Sequence, residues 1–231
     1  RRHTRFKCDW SSDVCSSDLT ESTEDTLQDI ERINKKNRAR SINTFDFSTL
    51  YTKINLQDLK QVLTSLLDMA FKGGTCEYIQ VTSTDAKFVK KKKHQNETTF
   101  TREECIQMLE YIIDNAYFSA GNKCYQQIVG IPMGTDPAPY IANLYLHHYE
   151  YKWMEKIEKT DNVTARRCYS YTRRFIDDLC TLNNNEEIKK NWKKIYPKEL
   201  ILNQVNEQNN ATFLDLDIEI QNNRSKRYHD F

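Results

Sequence analysis

The chain has 231 residues, 34 of them basic and 33 acidic, and 38% of its side chains are hydrophobic. That share is enough to bury a core, and no run of about 18 apolar residues exists to span a bilayer, so a soluble globule of one large or two small domains is expected. A net charge of +1 gives no global field to draw in nucleic acid, so any such binding must come from local clusters.

Residues 1–19 stand apart from the rest. Asp9-Trp-Ser-Ser-Asp-Val-Cys-Ser-Ser-Asp-Leu19 resembles translated sequencing-adapter sequence, so 1–19 are set aside as an artefactual or disordered leader and 20–231 are taken as the folded region. The seven cysteines form no Cys-x-x-Cys pair and no Cys/His cluster at zinc spacing. They read as ordinary buried residues of a reducing compartment, nucleus and cytoplasm not being distinguishable.

Residues 20–38 mix acidic and basic positions around Leu27, Ile30 and Ile33, which predicts an exposed amphipathic helix. A short strand follows over Ser41–Ser48. Leu56, Leu59, Val62, Leu63, Leu66 and Leu67 repeat with helical period until Lys72-Gly73-Gly74 ends the pattern. Tyr78–Val81 and Lys87–Val89 flank a Ser-Thr-Asp turn and predict a hairpin running into lysines 90–93.

Thr101 with Glu103-Glu104 caps a further helix reaching about Ala116. Gly121-Asn122 turns the chain into a strand over Lys123–Val129, and Pro137 and Pro139 open a long helix past Trp153. Tyr169–Phe175 and Leu179–Leu182 predict a hairpin with Asp177-Asp178 at its tip. A short helix over Glu186–Ile195 precedes two strands, near Leu200–Val205 and Thr212–Ile220, turning through Glu207–Asn210. The order predicts an α+β fold, helices backing a mostly antiparallel sheet with a split β-α-β centre, which puts Asp46 and Asp177 on neighbouring central strands.

Three stretches carry chemistry. Asp46 ends a strand between Phe45 and Phe47; taken alone it reads as a helix N-cap before it reads as a metal ligand. Asp177-Asp178 sits among Phe175, Ile176 and Leu179, where two half-buried carboxylates repel unless a cation neutralises them; alone it reads equally as a solvated turn. Gly130-Ile-Pro-Met-Gly-Thr-Asp-Pro-Ala-Pro139 fixes a backbone that a loose surface loop would not need, although a rigid strand-to-helix connection would use the same residues. Carboxylates from two strands with such a loop between them are what two-metal phosphoryl transfer requires.

In this order and spacing the three stretches resemble polymerase motifs A, B and C of reverse transcriptases. Phe45-Asp-Phe-Ser-Thr-Leu-Tyr-Thr52, Gly130-Ile-Pro-Met-Gly134 with Ala142-Asn143, Arg174-Phe-Ile-Asp-Asp178 and Phe213-Leu-Asp-Leu-Asp217 are similar to the Penelope-like group of retroelement reverse transcriptases, over about residues 38–231.

The resemblance implies a polymerase palm with a ferredoxin-like sheet, its fingers and thumb largely missing and no GIY-YIG endonuclease present. It implies an RNA-directed DNA polymerase adding dNTPs to a DNA primer on an RNA template, with no membrane partner; this stretch alone would have little activity. Asp46, Asp177 and Asp178 would be catalytic and, with the Phe47 carbonyl, would hold two Mg²⁺ ions, Mn²⁺ being able to substitute. Tyr51 would gate the sugar, Met133 and Gly134 would touch the nascent pair, and Phe213, Leu214 and Asp215 would form the primer grip. Tyr51, Met133 with Gly134, and Phe213, Leu214 and Asp215 each read alternatively as plain core. Lys198 is a candidate proton donor to pyrophosphate. The lysine cluster and arginines 166, 167, 173 and 174 are candidate phosphate contacts, though lysine runs are more often solvated faces. A catalytically dead nucleic-acid-binding remnant and an RNA-dependent RNA polymerase are the alternatives.

Overall fold

The computed structural model describes residues 23–36, 39–72, 76–91, 98–160, 163–183, 186–206, 209–221 and 224–228. The leader 1–19 and lysines 92 and 93 lie outside these. Two compact units emerge, one of Asn55–Thr135 and one in which the chain up to Ile54 joins Asp136 onward.

In chain order, helix α1 (Thr23–Lys35) leads into strand β1 (Ile42–Phe47) and a one-turn helix α2 (Leu50–Lys53). The first unit then contributes α3 (Leu56–Lys72), strands β2 (Tyr78–Val81), β3 (Ala86–Val89) and β4 (Thr98–Phe100), helix α4 (Arg102–Asp114) and strands β5 (Tyr117–Ala120) and β6 (Lys123–Gln126). The second unit resumes with α5 (Ala138–Lys159), α6 (Val163–Tyr169), β7 (Thr172–Phe175), β8 (Asp178–Leu182), α7 (Glu187–Ile195), β9 (Leu202–Gln204), β10 (Asn210–Phe213), β11 (Leu216–Gln221) and β12 (Arg224–Tyr228).

In the first unit α3 packs along α4, and β2 pairs with both β3 and β4. The predicted cap of α4 is present in full: Thr101 accepts from the Glu104 N–H while the Glu104 side chain accepts from the Thr101 N–H. The strand expected over Lys123–Val129 is shorter, and it pairs with β5, which the sequence reading missed. The Tyr111-to-Ala116 end of the α4 periodicity masks where β5 begins, and Gly121, with φ +61, makes the turn between the two strands.

The second unit is built on a four-stranded antiparallel sheet in the order β7-β8-β1-β9. Period-two alternation assigns its faces. Phe45, Phe47, Leu179 and Arg174 point to the side covered by α5 and α7, where Phe47 meets Tyr196 edge-to-face with ring centroids 4.8 Å apart. Ile42, Cys180 and Leu182 point to the other side, into a core with Ile30 and Ile33 of α1 and Ala211, Phe213, Leu216 and Ile218 of the last sheet.

That last sheet, β10-β11-β12, corrects one expectation. Leu200–Val205 and Thr212–Ile220 do not form a hairpin with each other; β9 pairs with β1, and 212–220 breaks into a hairpin of its own at Leu214-Asp215. Asn206 shows why: its side chain accepts from the Thr44 N–H and donates to the Ile42 and Asn210 carbonyls, tying this stretch to β1. Among the described residues no helix is long and apolar enough to cross a membrane.

Candidate active site

β1 and β8 are the two central strands, and their register sets Asp46 directly opposite Asp178. The Phe47 N–H donates to the Asp177 carbonyl at 3.1 Å, which makes Asp46 and Asp178 a non-hydrogen-bonded pair. In such pairs the Cα atoms approach to about 4.5 Å and the side chains stand close on one face. Asp177 occupies the two-residue turn between β7 and β8, so three carboxylates gather at one end of the sheet. The helices cover the opposite face, and the α1 core lies at the other end of this one.

The electrostatics record this crowding. Burial raises the Asp46 carboxyl above its ordinary range, and the Asp177 charge raises it further. Asp178 is raised by burial, then by Asp177 and Asp46. Tyr51, on the single turn of α2 just beyond β1, has its phenol raised by burial and then by Asp177. Sequence neighbours thus converge with residues more than a hundred positions away.

The turn itself is strained. Ile176 takes φ +55 ahead of Asp177, the pattern of a II′ hairpin whose first position ordinarily belongs to glycine. The β10–β11 turn repeats it: Phe213-Leu214-Asp215 matches Phe175-Ile176-Asp177 residue for residue in type, and Leu214 also has φ +55. Phe213 is buried, Leu214 packs against the same core as Phe175, and Asp215 is exposed.

Arg173 and Arg174 correct another expectation, since neither is available to a phosphate. Arg173 is ion-paired with Asp29 of α1, and both are buried. Arg174, on the helix-covered face, donates from Nε to Glu150 Oε1 at 2.7 Å and from Nη2 to Oε2 at 3.1 Å. Its Nη1 donates to Asn143 Oδ1 at 2.6 Å and to the Ile176 carbonyl at 2.9 Å, and its Nη2 also to the Asn143 carbonyl at 3.2 Å. Tyr196 Oη completes the group with a 2.9 Å bond to Glu150 Oε1. Sequence reasoning missed this cluster, yet a signal existed: Glu150 continues the apolar stripe Ala142, Leu146, Met154 of α5 at four-residue spacing.

Met133 and Gly134 belong to the first unit, where both are exposed. Gly134 has φ +90 with open space where a Cβ would stand, so backbone conformation alone demands glycine there. Thr135 Oγ1 donates to the Pro132 carbonyl and tightens the loop. Lys198, Lys87, Lys90 and Lys91 are exposed. Of the cysteines expected to be buried, Cys105 and Cys180 are, whereas Cys124 is exposed.

Among the described residues no three His, Cys, Asp or Glu side chains are drawn together tightly enough to hold a metal ion unaided. The donor chemistry nevertheless suits Mg²⁺, which keeps several waters and is ordinarily bound by one or two carboxylates together with substrate phosphates.

By sequence the chain matches no protein-family model and no curated protein. By structure it is similar to telomerase from Candida tropicalis, solved in complex with a TWJ fragment of telomeric RNA, with a TM-score of 0.61 and 19% identity over 94% of this chain. It is also similar to the corresponding Candida albicans telomerase complex, with a TM-score of 0.61 and 13% identity over 90%. The chain spans 35% of the length of each of those proteins. At identities this low the likeness shows a shared fold alone: the α+β architecture with antiparallel sheets is one that these telomerase structures also have.

Proposed function

We propose that the chain is the palm of an RNA-directed DNA polymerase of the Penelope-like retroelement type, adding dNTPs to a primer 3′-hydroxyl. The observation that carries this reading is the register of β1 and β8, which stands Asp46 opposite Asp178 and beside the Asp177 turn. Strands from distant parts of the sequence bring carboxylates to one open sheet end while the other face is sealed by helices, an arrangement that creates negative potential where a triphosphate needs its cations.

In this reading Asp46 and Asp177 hold the cations, with the Phe47 carbonyl contributing one oxygen and Asp178 completing the anionic field. Two Mg²⁺ ions so bound supply activation of the primer 3′-hydroxyl and neutralisation of the departing pyrophosphate. Burial and mutual repulsion raise Asp46 and Asp178 above the ordinary carboxylate range, and a cation held between them would offset that repulsion. Tyr51 presents its ring beside Asp177 and would exclude a 2′-hydroxyl by contact with the sugar. Phe213-Leu214-Asp215 would steady the primer end, and Met133 and Gly134 would border the nascent base pair. RNA template, DNA primer and dNTPs are the implied partners.

The test is primer extension on an RNA template by the protein of the complete open reading frame, beside Asp177→Ala and Tyr51→Ala. Extension with dNTPs is expected, lost to background in Asp177→Ala. Tyr51→Ala should reduce discrimination against ribonucleotides by about 10- to 100-fold, the range a purely steric rejection provides. Incorporation of NTPs in preference to dNTPs by the unaltered protein would identify an RNA-dependent RNA polymerase instead, and no incorporation at all would leave a binding remnant.

A further inference from the structure

We propose that Arg174 is a positioning residue that fixes the carboxylate of Asp177 for cation binding by clamping the strained Ile176 backbone from the far face of the sheet. The inference rests on the polymerase reading of the site and adds to it a device behind the carboxylates.

Arg174 satisfies all five of its N–H donors within the second unit. Two go to the Glu150 carboxylate as a side-on fork and two to Asn143, side chain and backbone. The fifth goes to the Ile176 carbonyl, the peptide group that joins Ile176 to Asp177. A β-branched residue at φ +55 relaxes toward negative φ unless something holds it, and rotation there swings the following carboxylate.

The other parts of the cluster fix the clamp rather than the turn. Glu150 is set on α5 between the buried Leu146 and Met154 and is held by Tyr196 from the end of α7. Asn143 stands on the same helix two turns earlier. The guanidinium is therefore anchored to two points on one rigid helix while its remaining N–H reaches the turn. A lysine could pair with Glu150 but could not make these five bonds at once. In metal sites, groups behind the ligands that fix their orientation are worth about 10- to 100-fold in affinity.

The experiment measures Mn²⁺ affinity of the 231-residue chain by titration calorimetry and by loss of the free-ion electron paramagnetic resonance signal. Urea unfolding of each variant is followed in parallel. Unaltered chain should bind Mn²⁺, and Asp177→Asn should remove that binding. Arg174→Lys, while still unfolding cooperatively, should bind about tenfold or more weakly. Ile176→Gly placed in the Arg174→Lys background should recover part of the affinity, because glycine takes φ +55 without a Cβ penalty. That rescue would not occur if Arg174 served packing alone.

Unaltered Mn²⁺ affinity in a folded Arg174→Lys chain would overturn the proposal. Should that variant fail to fold, Asn143→Ala, which leaves the Arg174–Glu150 pair in place, takes its part, and unaltered affinity there overturns it equally. If the unaltered chain shows no Mn²⁺ binding that depends on Asp177, the polymerase reading falls and the positioning role falls with it; binding that survives every Arg174 and Asn143 change sinks the positioning role only.

Discussion

Asp178 shows how a single side chain trades fold stability for function. Burial and the charges of Asp177 and Asp46 keep its proton bound to higher pH in the folded chain than the ordinary 3.8 of an unfolded aspartate. Between those two values the folded state carries more protons than the unfolded one, so this group lowers stability as pH rises from the unfolded value through the folded one, and the loss is complete above the folded value. Asp178→Asn is therefore expected to melt higher than the unaltered chain in EDTA at pH 7. The gain should not exceed about 2 °C, because the group is largely exposed and screened. Calorimetry with and without Mn²⁺ checks both halves, since the variant should also gain less from the ion. A lower melting temperature in EDTA would mean that the carboxylate makes a stabilising contact rather than a repulsive one.

Elements carry the opposite bargain on the other face of the sheet. Burial pushes the Glu150 carboxyl up, but the Arg174 charge and hydrogen bonds, with help from His147 and Tyr196, hold it below its ordinary 4.5. Its contribution to stability is thus present above the unfolded pKa and is lost as pH falls through the folded one. Glu150→Ala strands a buried guanidinium, and the cost of breaking such a pair is about 3–5 kcal/mol. Tyr196→Phe removes one bond to a charged group and should cost about 1.5–3 kcal/mol. Urea denaturation at pH 7 should rank the two in that order, and the stability of the Glu150→Ala chain should fall less than that of the unaltered protein as pH drops through the range where Glu150 titrates. Equal costs would mean that Tyr196, and not Arg174, is the principal partner of Glu150.

At the same scale the sequence was unevenly legible. The amphipathic stripes of α1, α3 and α4 and the capping box at Thr101 announce themselves because one period and one cap suffice. The hairpin at Leu214 was hidden because Leu at positive φ gives no turn signal, whereas its twin at Ile176 was found through its aspartates. Arg174 read as a surface cation because a local window shows its charge and not its partner, which lies 24 residues earlier on another element.

The whole molecule rests on contacts of long sequence separation, for β1 pairs with β8 across the entire Asn55–Thr135 unit. Element order and motif spacing pointed to that pairing; nothing in the composition of either strand specifies the other as its neighbour, and the division into two units left no linker-like stretch to read. The division makes a last prediction available. The carboxylates Asp46, Asp177 and Asp178 all belong to the discontinuous unit, so a cation that binds only the folded form should stabilise that unit by RT ln(1 + [L]/Kd), about 2.7 kcal/mol at a hundredfold excess over Kd. Hydrogen exchange read by mass spectrometry should show slower opening for peptides of β1, β7 and β8 on adding Mn²⁺, with those of α3 and α4 unchanged. Protection rising equally in both sets would show that the two units unfold as one, and that the pairing of β1 with β8 cannot be broken without also opening the segment enclosed between them.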